Sequence, residues 1–175
     1  MTRPAAPLGA RFLRLTNADL PRLLQLCRSC SDFYALIEGQ PPSDETAAEL
    51  LGPLEDKYAR GTRHVWGVEK DGALIAVAEL LEGYPSSHDW YIGLLLIAPE
   101  HRRQGLGTQL CAGLVRWMGE RSASVVRLVV HQQNAGARAF WDRQGFIVER
   151  EDLKRSGRLE GPVSILARRA WDRRS

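Results

Sequence analysis

"LLLIAPEHRRQGLGTQL", residues 94–110, runs from an apolar stretch into a turn that holds two arginines and two glycines. The apolar part predicts a buried strand, and the part after Gly107 predicts the opening of a helix. Pro99 has no N–H for a ladder, so the strand ends or bulges there and parts from its neighbour. Without a Cβ, Gly105 and Gly107 let backbone N–H groups turn toward one point, and the helix start adds a positive dipole end. Arg102, Arg103 and Thr108 add charge and donors beside it. That is a receptor for a phosphate-type anion at the mouth of a wedge between strands.

Three phosphate-binding turns compete for the stretch. A P-loop needs Gly-Lys-Ser/Thr, and Leu106-Gly107-Thr108 has no lysine. A dinucleotide fingerprint needs a third glycine where Leu110 stands, and a strand that opens a parallel unit rather than one that follows a hairpin. The pattern R/Q-x-x-G-x-G/A is met by Arg102, Gly105 and Gly107 without adjustment. Taken alone, a glycine turn also serves simply to pack a helix onto a sheet.

Working outward, "HVWGVEKDGALIAVAELL" (64–81) reads as two strands around Asp71-Gly72, a pair suited to a tight hairpin. "EGYPSSHD" is a loop, and "WYIGLLLIA" is the third strand of the series. Upstream, "RFLRL" alternates as a strand. Asn17 or Asp19 caps a helix to about Ser31, and Ser43 or Asp44 opens another with Ala47, Leu50, Leu51 and Leu54. Downstream come a helix from Thr108 to about Arg121, the strand "VVRLVV", a helix from Asn134 to about Gln144, and the strands "GFIVERE" and "PVSILARR". The order β-α-α-β-β-β-α-β-α-β-β implies an α/β fold: a mixed, mostly antiparallel sheet with helices on both faces. One strand–helix–strand crossover in the middle is expected to be parallel.

At 175 residues the chain is long enough for one full core. The expectation is a flexible segment over 1–10, a single domain over 11–170 and a basic tail over 171–175. A hydrophobic content of 44% and a charged content of 26% fit a globular chain and exclude a disordered one. The net charge of +3 is spread out, which argues against a nucleic-acid partner. The longest apolar run is too short for a membrane span, and "MTRPAAPLGARF" has no signal-peptide core. Cys27, Cys30 and Cys111 do not make a disulfide framework, so a reducing cytoplasm is expected. "CRSC" lacks further ligands at zinc spacing, so the thiols read as packed and no metal is expected.

A second stretch makes the chain recognisable. "LVVHQQNAGARAFWDRQGF" (128–146) follows the pattern N-x-x-A-x-x-F/L-Y-x-x-x-G-F through Asn134, Ala137, Phe140, Gly145 and Phe146. With the arginine–glycine turn ahead of it, the chain resembles the GNAT superfamily of acyl-CoA-dependent N-acyltransferases over roughly Phe12 to Arg168. The resemblance implies acetyl-CoA as co-substrate, held in a slot between the splayed parallel strands. Backbone groups at Leu96 and Ile97 would pair with the pantetheine arm as an added strand would. The turn Arg102, Arg103, Gln104, Gly105, Leu106, Gly107 and Thr108 would hold the pyrophosphate. Asn134 would bond the pantetheine, a role compatible with capping its helix.

The catalytic side departs from the family pattern. Trp141 stands where many members carry a tyrosine acid, and an indole does not give up its proton near neutral pH. Tyr91 matches the position of a glutamate base in some members. Glu79, Glu82, His88 and Asp89 lie near it in sequence as alternative bases, and a water relay leaves no sequence trace. His131 reads as structural. The implied reaction moves an acetyl group to a primary amine of a small molecule or peptide. The alternatives are a non-catalytic acyl-CoA-binding module and, if the glycine turn is misread, a nucleotide-binding regulatory domain. Aromatic and acidic residues in "SDFYALIEGQPPSDE" and "LLEGYPSSHDWY" suggest a cationic acceptor, and homodimers are common in the family.

Overall fold

In a computed structural model the described residues are 3–4, 9–54, 61–154 and 161–170. The segment 171–175 and most of 1–10 lie outside them. A seven-stranded sheet is built from β1 (Arg11–Arg14), β2 (Thr62–Lys70), β3 (Ala73–Glu82), β4 (Asp89–Ile97), β5 (Val125–His131), β6 (Ile147–Lys154) and β7 (Gly161–Arg169). Its order is β1-β2-β3-β4-β5-β7-β6, and every pairing is antiparallel except β4 with β5. The β2–β3 turn places Asp71 at φ 50° and Gly72 at φ 81°, two left-handed residues in a row as a tight hairpin with the sheet's twist requires.

Helices α4 (Leu106–Gly119) and α5 (Ala135–Arg143) cover one face. The core beneath them joins Leu110, Leu114 and Trp117 of α4 to Trp66, Trp90, Ile92 and Leu128. The other face is covered by α1 (Leu20–Ser29), α2 (Ser31–Glu38) and α3 (Asp44–Leu51), which pack Leu23, Tyr34 and Leu50 on Val65, Val77 and Leu96. Helix α2 is absent from the sequence-based reading, which ends its first helix at about Ser31 and opens the next at Ser43 or Asp44. Its signal is short: Tyr34 and Ile37 are the buried pair, and Gly39 ends it in the left-handed region at φ 71°. Leu54, expected on the following helix, falls beyond it, because α3 ends at Leu51.

His64 marks the end of the sheet remote from the arginine–glycine turn. It is 2% exposed, stacked on Trp90 and edge-on to Trp117, and its Nε2 lies 2.8 Å from Glu82 Oε2. Burial lowers its pKa and outweighs the carboxylate beside it. The folded chain therefore disfavours the charged ring that the unfolded chain adopts below pH ~6.5. This contribution is present above that pH and is lost on acidification toward the lower folded value. Melts recorded from pH 7 to 5 should show the melting temperature falling less in His64→Gln, which keeps an N–H for Glu82. Equal slopes would show that the imidazole does not carry the effect.

Candidate active site

The parallel ladder between β4 and β5 ends early. Its last pair is Ile92 with Leu128, whereas the sequence places the parting at the end of the apolar run, beyond Ile97. The cause is a bulge: Glu79 faces Leu94 and Leu80 faces Ile92, so Gly93 is the extra residue. The added residue bends β4 away from β5 while its pairing with β3 continues to Ile97. A Cβ built on Gly93 would lie 2.7 Å from Glu79 Oε2, so only glycine fits where this carboxylate sits.

Backbone direction along β4 follows from one hydrogen bond. The Ala98 N–H donates to the Ile75 carbonyl at 2.9 Å. By antiparallel alternation Leu96 and Leu94 also turn their backbone groups to β3, and Leu95 and Ile97 turn theirs into the gap toward β5. This departs from the expectation for Leu96: its peptide groups belong to the sheet, and Leu95 is the residue that faces the gap. Sequence alone does not fix this, because the side of a strand that faces a gap depends on its register.

Beyond the gap lies the turn. Arg103 has φ 56° and Gly105 has φ 81°, and Gly105 caps α4 so that the first N–H groups of the helix point outward. Arg103, Gln104, Gly105 and Thr108 are exposed there, with Leu106 half-buried. Gly107 lies inside the first turn of the helix, where a Cβ would meet Phe140 Cε2 at 3.1 Å and Ile97 Cδ1 at 3.3 Å. Its smallness lets α4 close on both β4 and α5.

Arg102 points elsewhere. Its Nε donates to the Ile97 carbonyl at 2.8 Å, and its guanidinium forms a two-point ion pair with Asp32 of α2. That pair holds the Asp32 carboxyl below its usual range. The same Ile97 carbonyl accepts from Cys30 Sγ at 3.4 Å, a thiol kept neutral because burial raises its pKa. Arg102 thus ties the turn to α2 and the end of β4, and Arg103 is the cation exposed beside the helix start.

The four proposed catalytic residues are not brought together. Glu79 lies at the bulge, 2.9 Å from Arg63 Nε. Arg63 Nη1 donates to the Glu49 and Gly52 carbonyls at the end of α3, at 3.0 and 2.8 Å. Tyr91 stands edge-on to Tyr84 beside the bulge, on the helix α1–α3 side. Glu82 lies on the other face with His64, at the remote end of β4. Trp141 is buried against Phe140 and Phe146 in the core, so its residue type reflects packing there. Its neighbour Phe140 is the aromatic that reaches Gly107. Trp141→Phe is expected to lower the melting temperature by several degrees through lost packing. Turnover should survive, and its loss in a folded variant would make the indole N–H a catalytic donor.

Asn134 caps α5 by accepting from the Ala137 N–H at 3.0 Å, which leaves its amide N–H groups for a second role. Of the other candidate bases, Asp89 pairs with Arg127 at 2.9 Å and accepts from Ser86, while His88 is exposed in the loop. The acidic residues that suggest a cationic acceptor are therefore neutralised at Glu79 and Asp89 by arginines. The thiols of Cys27, Cys30 and Cys111 are all buried, the last with its pKa pushed up to about 11 by burial.

Comparison with known proteins gives a consistent picture. Residues 25–146 match the model of the "Acetyltransferase (GNAT) family". A mycothiol acetyltransferase of Kineococcus radiotolerans is 37% identical over 98 residues, which cover 56% of this chain and 31% of that protein. The chain thus spans about a third of that relative's length. Among solved structures, an acetyltransferase from Thermus thermophilus superposes with TM-score 0.73 at 25% identity, covering 94% of this chain and 99% of that one. A spermidine N-acetyltransferase from Vibrio cholerae, solved with CoA and spermine, shares the fold with TM-score 0.69 at 19% identity, covering 94% and 97%.

Proposed function

The chain belongs to the acetyltransferase (GNAT) family, and from that premise we propose that it transfers an acetyl group from acetyl-CoA to the primary amine of an acceptor. The observation that carries the reading is the gap opened by the Gly93 bulge, with the start of α4 at one end and the Glu79 carboxylate at the other. In this reading the pantetheine arm lies along Leu95 and Ile97 as a partial strand. The pyrophosphate sits on the N–H groups from Gly105 to Thr108, with Arg103 beside them.

The acceptor approaches from the α1–α3 side, where Glu79 and Tyr91 lie. Its amine nitrogen attacks the thioester carbonyl, the C–N bond forms, and the C–S bond breaks to release the coenzyme thiolate. Glu79 takes the proton that the amine must lose, directly or through water. Arg63 fixes the carboxylate against the bulge. No phenol is required opposite the sulfur, because an alkyl thiolate with a pKa of ~8.5 is already a good leaving group. Positioning of the amine against the carbonyl supplies the rest of the acceleration.

Thiol release from acetyl-CoA, measured against aminoglycosides, polyamines, amino acids and peptide N-termini, tests the proposal. One amine class should raise the rate well above hydrolysis. CoA binding without amine-dependent release from any class would make the chain a non-catalytic acyl-CoA-binding module.

A further inference from the structure

The floor on the α1–α3 side of the Gly93 bulge is aromatic and apolar around a single acid. Tyr91 lies opposite Leu81 and Leu94 opposite Glu79, so both side chains share the face of the Glu79 carboxylate and flank it along β4. Leu94 packs at the margin of the α1–α3 core. Tyr91 stands edge-on to Tyr84, with ring centroids 5.9 Å apart and planes at 82°. All three side chains are half-buried. Tyr84 is held by its own loop. The Gly83 and Tyr84 N–H groups donate to the Asp89 carbonyl at 2.9 and 3.2 Å, and the Ser86 hydroxyl donates to the Asp89 carboxylate at 2.7 Å.

The charges of this floor are already matched. Glu79 meets Arg63, and Asp89 meets Arg127, which lies opposite Tyr91 on β5. Arg127 also reaches Glu149 at 2.8 Å and holds that carboxyl below its usual range. The one surplus negative charge of the group therefore sits on β6, a strand that pairs with β7 and not with β5. A second ammonium beside the acceptor amine would lose hydration next to Arg63 and Arg127, with no unpaired acid to meet it among these residues. A ring has no such cost and gains contact with the two tyrosines.

We propose that the acceptor carries its amine on an aromatic group without a second cation, and that Tyr84 and Tyr91 are the residues that select it. The assignment rests on the reading of Glu79 as the carboxylate that receives the amine's proton. Tyr91 stands two residues before Gly93, about 7 Å along the strand. A ring joined to its amine by a short chain covers that span, with the nitrogen at Glu79 and the ring against Tyr91. Leu94 closes the other side of the carboxylate. Tyrosine suits such a wall, because it offers a large contact area with few rotatable bonds to order.

Thiol release from saturating acetyl-CoA, with phenethylamine, propylamine or putrescine as acceptor, tests it on the full chain. The kcat/KM for phenethylamine should exceed that for each of the others by about 10-fold or more, the scale on which an apolar pocket discriminates. Tyr91→Leu and Tyr84→Leu should each bring the ratio of phenethylamine to propylamine down toward one, mainly through KM. Tyr91→Phe should keep the ratio, because the ring and not the hydroxyl selects. Unchanged CoA affinity shows that each variant is folded. A parent that prefers putrescine, or that does not distinguish the two monoamines, overturns the assignment. So does a ratio undiminished in both leucine variants, and so does a chain that responds to another amine class but to none of these three. CoA binding without thiol release to any amine is the separate result that overturns the acetyl-transfer reading, and the assignment with it.

Discussion

Gly107→Val should weaken CoA binding by roughly 10- to 100-fold, the consequence of forcing side-chain volume into a packed site at about 1–3 kcal/mol. Even a first carbon at this position would stand 3.1 Å from Phe140 and 3.3 Å from Ile97, and valine adds two methyl groups beyond it. The start of α4 must then lift from β4 and α5, and the N–H groups that face the anion move with it. Gly107→Ala should cost less, since Phe140 and Ile97 can each yield a few tenths of an ångström. Arg103→Ala should also cost less, because it removes one exposed charge and leaves the backbone receptor intact. Calorimetry on the folded variants ranks them. Parent-like affinity in Gly107→Val would mean that the coenzyme does not use this helix start.

Glu79→Gln is expected to reduce turnover at saturating acetyl-CoA by ~10²–10⁴-fold, the usual contribution of a well-placed general base. The amide has the same shape, so the Gly93 bulge and coenzyme affinity should persist. Gly93→Ala reaches the same carboxylate from the other side, because its Cβ would displace Glu79 Oε2 from 2.7 Å. A similar fall in turnover is expected for it. Glu82→Gln is the control: that carboxylate lies with His64 on the opposite face, and its loss should leave the rate near normal. Near-parent turnover in Glu79→Gln would leave water, or an amine that arrives neutral, as the proton acceptor.

Local chemistry by itself determined much of this protein. The Asp71-Gly72 hairpin, the apolar run ended by Pro99, the helix after Gly105 and the Asn134 cap are all short-range effects of φ preference, side-chain periodicity and hydrogen-bonding capacity. They sufficed for the sheet type, the parallel pair and the glycine turn that opens α4. Tertiary structure decided the rest, because it depends on register and on which element lies opposite. A one-residue bulge at Gly93 moved the parting of β4 and β5 five residues upstream of Ile97 and turned Leu95 rather than Leu96 toward the gap. Strand alternation separates Glu79 from Glu82: three positions apart on β3, they fall on opposite faces of the sheet, one beside the Gly93 bulge and one beside His64. Arg102 was readable as a cation in an anion-binding turn, but Asp32 lies 70 residues away in sequence on a helix hidden from periodicity, and the fold spends that charge on it. Composition shows which charges exist, and only packing assigns their partners.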